Sequence, residues 1–287
     1  MRLTSTSTLL AMCIALPASG AAQETTRAGA FFDSDGLRIR YVVQGSGPAV
    51  LLLHGFSVNL ELNWTATGIL DSLASRYTVI ALDQRGHGAS DKPHDPAAYG
   101  TNFVADIVRL LDHLGLERVH IVGYSMGSAI ALKLLTTHPE RVASAVLGGG
   151  GWRPAELDPP HRLVRWQREL ARAERGETTI AEVVAEPDAP PLPPEITAVL
   201  NRNDPAALVA VLKGNRELFT VSEAELRTNN VPVLALVGDA DWARDDVERM
   251  RGVMATLEVV ILDGATHLTA VGHPLFMPSV IQFLGSR

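Results

Sequence analysis

Nearly unbroken apolar runs recur along this chain, separated by segments whose apolar residues return every three to four positions. The runs are AVLLLHG (49–55), YTVIALD (77–83), RVHIVGY (118–124), VASAVLGGG (142–150), VPVLALVG (231–238) and LEVVILDG (257–264). A strand with one face in water alternates apolar and polar residues, whereas a strand covered on both faces has no such need. The runs therefore predict buried strands. Between them, NFVADIVRLLDHLGL, MGSAIALKLLTTHP and DDVERMRGVMATL carry the spacing of amphipathic helices. This alternation predicts an α/β fold, a mostly parallel central sheet flanked by helices and joined by right-handed crossovers. Ahead of it, AFFDSDGLRIRYVVQG places two short apolar runs around Asp35-Gly36, the pattern of an opening hairpin.

One interval breaks the rhythm. From Trp152 to about Asn230 there are helix-like pieces, HRLVRWQRELARAERG and DPAALVAVLKGN, among Pro187, Pro190, Pro191, Pro193 and Pro194. The expected organisation is a core in two parts, residues 23–151 and 231–287, interrupted by a helical cap over residues 152–230. Residues 1–22 read differently: Arg2, the short apolar LLAMCIALP and the small residues of SGAAQE form a secretory signal, cleaved after Ala22. That implies a secreted or periplasmic protein, and the apolar run is too short for a membrane anchor. Cys13, the one cysteine of the sequence, lies inside this leader, so the mature chain has neither disulfide nor thiolate chemistry. A net charge of −7 argues against nucleic acid as a partner.

The stretch HIVGYSMGSAIA (120–131) ends an apolar run in Ser125, fenced by Gly123 and Gly127, and continues as a small-residue helix. A serine in a tight strand-to-helix turn matches the G-x-S-x-G nucleophile elbow. The glycines are required because side chains two positions away would collide there. A serine hydroxyl needs a base, and the base needs an orienting acid. His267 follows the last apolar run and Asp241 follows the one before, both at the carboxyl edge where ligands bind in such sheets. The order Ser, Asp, His along the chain suits this architecture. Asp239 competes with Asp241 for the acid role, while Asp263 is too near His267 in sequence to face it. In LLLHGFS, Gly55 permits a turn that aims the Phe56 amide at the serine; with the Met126 amide it would form a two-donor oxyanion hole. His54 is a second possible base, for which a structural role is preferred. In ALDQRGHGAS (81–90) the phosphate-loop spacings are missing; Asp83 and Arg85 are expected to pair locally and His87 to pack beside them. No metal-ligand spacing occurs, and no metal or cofactor is expected.

With these residues in view, the chain resembles the α/β-hydrolase superfamily, in its esterase-like serine branch with a helical cap. The likeness runs from about residue 30 to the end, apart from the cap, on HGFS, DQRGHGAS, GYSMG, GDAD and GATH. Its G-x-x-D pattern falls on Gly238 and Asp241 and so favours Asp241 over Asp239. Haloalkane dehalogenases and epoxide hydrolases of this fold carry aspartate at the elbow, which Ser125 argues against, and HGFSV departs from the HGGPG-like loop of proline iminopeptidases. The resemblance implies a carboxylesterase acting on a small-molecule ester-like substrate, with lactonase, cofactor-free perhydrolase and carbon–carbon bond hydrolase on the same triad as alternatives. A non-catalytic binding module is the alternative of another kind. Trp152, Trp166 and Phe219 are expected to supply the pocket wall, with Trp64 a further aromatic that could as well be core; the sequence assigns no oligomeric state.

Overall fold

The Asp35-Gly36 turn joins β1 (Ala30–Ser34) to β2 (Leu37–Gln44), and Asp35 takes a positive φ of 58° there. The computed structural model describes residues 29–157, 161–185, 191–216 and 218–287; the leader reading, with Cys13, falls outside them, as do Pro187 and Pro190. After the hairpin come β3 (Ala49–Leu53), β4 (Thr78–Leu82), β5 (Val119–Tyr124), β6 (Val142–Gly148), β7 (Val233–Gly238) and β8 (Leu257–Leu262). They form one eight-stranded sheet in the order β1-β2-β4-β3-β5-β6-β7-β8. β1 and β2 are antiparallel, β2 meets β4 antiparallel, and every pairing from β4 to β8 is parallel.

The unbroken apolar runs have a direct structural reason. In β3, Leu51 and Leu53 join one apolar layer while Val50 and Leu52 join the layer on the opposite face of the sheet. Ile80 and Leu82 divide from Val79 and Ala81 in the same way, as the two-residue period of a strand requires. Each full burial of such a side chain contributes about 1.5–3 kcal/mol, so neither face tolerates a polar residue cheaply.

The helices are α1 (Ile69–Ala74), α2 (Asn102–His113), α3 (Met126–Thr137), α4 (His161–Glu174), α5 (Ile180–Val184), α6 (Pro194–Leu200), α7 (Pro205–Gly214), α8 (Glu223–Arg227), α9 (Arg244–Arg251) and α10 (Phe276–Gly285). Three lie where periodicity predicted core helices. α9 stops at Arg251, because Gly252 follows and the chain must enter β8 a few residues later. Outside the cap, periodicity missed α1 and α10, which bury Ile69, Leu70 and Leu73, and Phe276, Val280, Phe283 and Leu284; within it, α5, α6 and α8 were missed.

Between β6 and β7 the described residues contain α4 to α8 and no strand. Local signals set where these helices begin. Thr179 and Glu182 form a reciprocal capping box on α5, Ser222 and Glu225 another on α8, and Asp204 caps α7 ahead of Pro205. A cap of this kind stabilises a helix by about 1 kcal/mol. The segment has its own small apolar cluster, Leu170, Ala173, Ile180, Ala181, Val183, Leu200 and Leu208, against which Phe56 and Val58 of the sheet domain also pack. Among the described residues no helix is long and apolar enough to cross a membrane.

Candidate active site

Ser125 ends β5 and begins α3, with φ 54° and ψ −113°, a conformation that costs about 1–3 kcal/mol for a residue with a side chain. Its glycine fence is explained by contact. A Cβ at Gly127 would stand 2.0 Å from the carbonyl oxygen of Leu53, and one at Gly123 would stand 2.4 Å from that of Gly127. Neither backbone can retreat, since one is a sheet strand and the other a buried helix. The strained turn holds the hydroxyl clear of the sheet, at the positive end of the α3 dipole.

His267 lies beyond β8, where its Nε2 accepts from the Ser125 hydroxyl at 2.9 Å. Its Nδ1–H donates to both carboxylate oxygens of Asp241, at 3.0 and 3.1 Å. With the carboxylate accepting at Nδ1, the tautomer leaves Nε2 unprotonated toward the serine. Asp241 is fully buried at its side chain and also accepts from the Ala243 amide at 2.8 Å, which fixes its plane. Asp239 stands elsewhere: its Oδ1 is buried without a partner, and no hydrogen bond joins it to His267. The three residues thus come from the carboxyl ends of three different strands, β5, β7 and β8.

The turn after β3 brings Gly55 so close to Ser125 that a Cβ on the glycine would touch the serine Cβ at 3.4 Å. Among the described residues, the amides of Phe56 and Met126 donate to no protein acceptor. Both are therefore free for an oxygen beside Ser125. The loop is held from two sides: Asn63 Oδ1 accepts from the Gly55 amide at 2.9 Å, and Asn203 Nδ2 donates to the Ser57 carbonyl at 2.7 Å. Ser57 itself has a positive φ of 62°. His54 is committed at both nitrogens, donating from Nδ1 to the Gly55 carbonyl at 2.7 Å and accepting at Nε2 from the Gln84 amide at 3.0 Å. Burial lowers its pKa, so it is a neutral structural imidazole.

Of the aromatic residues expected in the wall, Trp166 is brought to the site: it stacks on Phe56, ring centroids 5.6 Å apart at 20°. Trp152 instead packs in the sheet's apolar layer with Met126, its Nε1 donating to the Val221 carbonyl at 2.7 Å. Phe219 is 41% exposed, because Leu218 and Val221 take the inward positions of that turn. Trp64 is wholly buried core. The local pairing expected of Asp83 with Arg85 does not form. Asp83 meets Arg40 at 3.0 Å and two loop amides, and Arg85 forms a bidentate pair with Asp106 at 2.5 and 2.7 Å. Partners on β2 and α2 reach each side chain better than the two reach each other. His87 is buried beside His54, and burial together with that neighbour pushes its pKa down to about 3.

Two residues that sequence reasoning missed touch the base. Trp242 lies against His267 with ring centroids 3.8 Å apart, and the Tyr124 hydroxyl donates to the His267 carbonyl at 2.5 Å. Their one sequence signal is adjacency, since they sit next to Asp241 and Ser125. Among the described residues no group of histidine, cysteine, aspartate and glutamate is arranged to hold a metal ion.

Residues 48–180 match the family described as alpha/beta hydrolase fold. Over 136 residues, 46% of this chain, the sequence is 41% identical to the dihydrolipoyllysine-residue acetyltransferase component of the acetoin cleaving system of Cupriavidus necator, covering 34% of that protein. The chain spans little more than a third of the length of such curated relatives. Among solved structures, 2-hydroxy-6-oxo-6-phenylhexa-2,4-dienoate hydrolase from Rhodococcus sp. strain RHA1 superposes with a TM-score of 0.76 at 26% identity, covering 90% of this chain and 98% of that one. A hydrolase from Pseudomonas aeruginosa PA01 gives 0.75 at 28% identity with the same coverage. Sheet order, serine turn and these likenesses agree on one class, the alpha/beta hydrolases.

Proposed function

We propose that this protein is a serine hydrolase cleaving carboxylic esters through an acyl-enzyme. The observation that carries the reading is the unbroken hydrogen-bonded line from Ser125 through His267 to Asp241. His267 Nε2 takes the hydroxyl proton as Oγ forms its bond to the ester carbonyl carbon. The carbonyl oxygen becomes an oxyanion facing the amides of Phe56 and Met126; each such donor is worth about 2.7–4 kcal/mol in the transition state. Asp241 holds the imidazole tautomer and stabilises its charged form without taking the proton. Collapse breaks the bond to the leaving oxygen, which receives the proton from His267. Water then repeats the sequence on the acyl-enzyme and frees the acid and Ser125.

Carbon–carbon bond hydrolysis on the same three residues is the second reading, favoured by the likeness to the Rhodococcus oxo-dienoate hydrolase. The apolar leader adds an exported setting, for which the mature protein would start near Gln23 by intact mass. The functional test is turnover of p-nitrophenyl esters from acetate to dodecanoate by the wild-type chain and by Ser125→Ala. Turnover lost in the variant is the expected result, with the length profile sizing the pocket. No turnover of any ester would overturn the ester reading and favour the second one or a non-catalytic binding module.

A further inference from the structure

One face of α4 presents two donors that no protein group accepts. Arg162 and Trp166 are four residues apart and so share a helix face. Trp166 stacks on Phe56, the oxyanion-loop residue, and its Nε1–H is buried without an acceptor. Arg162 lies over Trp242, its Cζ 3.1 Å from the ring centroid, while Trp242 lies 3.8 Å from His267. Both contacts are too short to share one side of the indole, so Trp242 is the wall between the guanidinium and the base. This helix face thus reaches from the base to the oxyanion loop.

Arg162 is half-buried, its Nε is sealed from water without a partner, and none of its nitrogens hydrogen-bonds to a described residue. Burial, its largest influence, pushes its pKa down to about 10. Its neighbouring carboxylates are already engaged. Asp241 is bound by His267 and the Ala243 amide, and Asp246 by Arg153 at 3.3 Å and by Arg249. The Trp242 ring covers one face of the guanidinium but accepts none of its N–H groups, and a half-buried cation without an acceptor is disfavoured unless an anion completes it. Its planar fork suits a carboxylate. A dianion such as phosphate would be repelled by Asp241 and Asp246, whose charges reach Arg162.

We propose that Arg162 receives a carboxylate of the substrate, so that the preferred esters are half-esters of short dicarboxylic acids. This rests on the serine-hydrolase reading for the bond that is cut, and on Arg162 alone for the charge that is recognised. The kinetic experiment compares mono-p-nitrophenyl glutarate with p-nitrophenyl valerate, which has the same chain length and no charge. The wild-type chain should favour the glutarate half-ester in kcat/KM by roughly tenfold or more, as a charge-assisted pair implies. Arg162→Gln should bring the ratio to about one, and Arg162→Lys should recover part of it. A wild-type preference for the neutral ester, or a ratio unmoved by Arg162→Gln, would overturn the proposal. A binding experiment separates this from the fate of the ester chemistry: Ser125→Ala is titrated calorimetrically with monomethyl glutarate and with methyl valerate. If neither nitrophenyl ester is turned over, the hydrolytic reading fails. Roughly tenfold tighter binding of the anionic ligand, abolished by adding Arg162→Gln, would still support the carboxylate site, and equal binding of the two ligands would refute it.

Discussion

The line of Ser125, His267 and Asp241 and the helices of the cap are built to different standards. At the sheet edge, Ser125, Asp241 and His267 hang from the ends of β5, β7 and β8, and each polar atom between them has a partner within 3.1 Å. In the cap, Arg162 Nε, Trp166 Nε1 and Asn215 Oδ1 are buried with none, as are Asp239 Oδ1, Gln84 Oε1 and His87 Nε2 in the loops beside the three, and short cap helices rest on a small apolar cluster. Buried polar atoms left unpaired cost about 1–3 kcal/mol each. The contrast teaches a division of labour. On the proposed function, the bond-making groups hang close to strand ends and are fully paired, whereas the groups proposed to face the substrate still lack a partner.

The sharpest way to break this contrast is at the base. His267→Gln should lower kcat by about 10⁴-fold or more, measured on whichever p-nitrophenyl ester is fastest. Asp241→Asn should follow at about 10³–10⁴-fold, because the amide would favour the wrong imidazole tautomer. Asp239→Asn should stay near wild type, and the reverse pattern would reassign the acid. At the oxyanion loop, Asn63→Ala leaves the Gly55 amide without its acceptor and loosens the turn that aims the Phe56 amide. The expected loss is about 10–100-fold in kcat with KM little changed, since the interaction matters most in the transition state.

A cap substitution should behave otherwise. Trp166→Leu removes the aromatic surface over Phe56, and it should alter KM and the ester-length profile by less than about tenfold. A kcat loss as large as that of Asn63→Ala, at unchanged KM, would contradict the division of labour.

The smallest effect concerns stability and involves no catalytic group. His87 is held neutral by burial, with a folded pKa of about 3 against an ordinary 6.5. Between those values the unfolded chain binds the extra proton, so stability rises with pH there. The contribution is complete above pH 6.5 and is lost progressively as pH falls toward 3. Its slope is about 1.4 kcal/mol per pH unit. Urea unfolding at pH 4.5, 5.5 and 6.5 should show a shallower dependence for His87→Leu than for the wild-type chain. Parallel curves would mean that the buried imidazole is charged.

How much of this was legible in the sequence follows from the range of the interactions. The strands were readable because two-sided burial leaves an unbroken apolar run, and Ser125 because its glycine fence fits within five residues of chain, although the clash at Gly127 is with Leu53 of a neighbouring strand. Asp241 and His267 were placed by their positions just after strands. Arg40–Asp83 and Arg85–Asp106 were not readable, being contacts across 43 and 21 residues that displaced the expected neighbour pair. Asn203, which braces Ser57 across 146 residues, was invisible for the same reason. The burial of Trp152 and the exposure of Phe219 were not readable, because apolarity predicts burial or a wall equally well, and only packing decides which.

The central claim is that Ser125 is the residue acylated. Rapid-quench mass spectrometry during turnover of p-nitrophenyl butyrate tests it most directly. The account predicts a transient butyryl adduct on the peptide carrying Ser125, formed with a burst of nitrophenol and gone when substrate is exhausted. Steady turnover with Ser125 unmodified throughout, or a transient adduct on another residue, would contradict it.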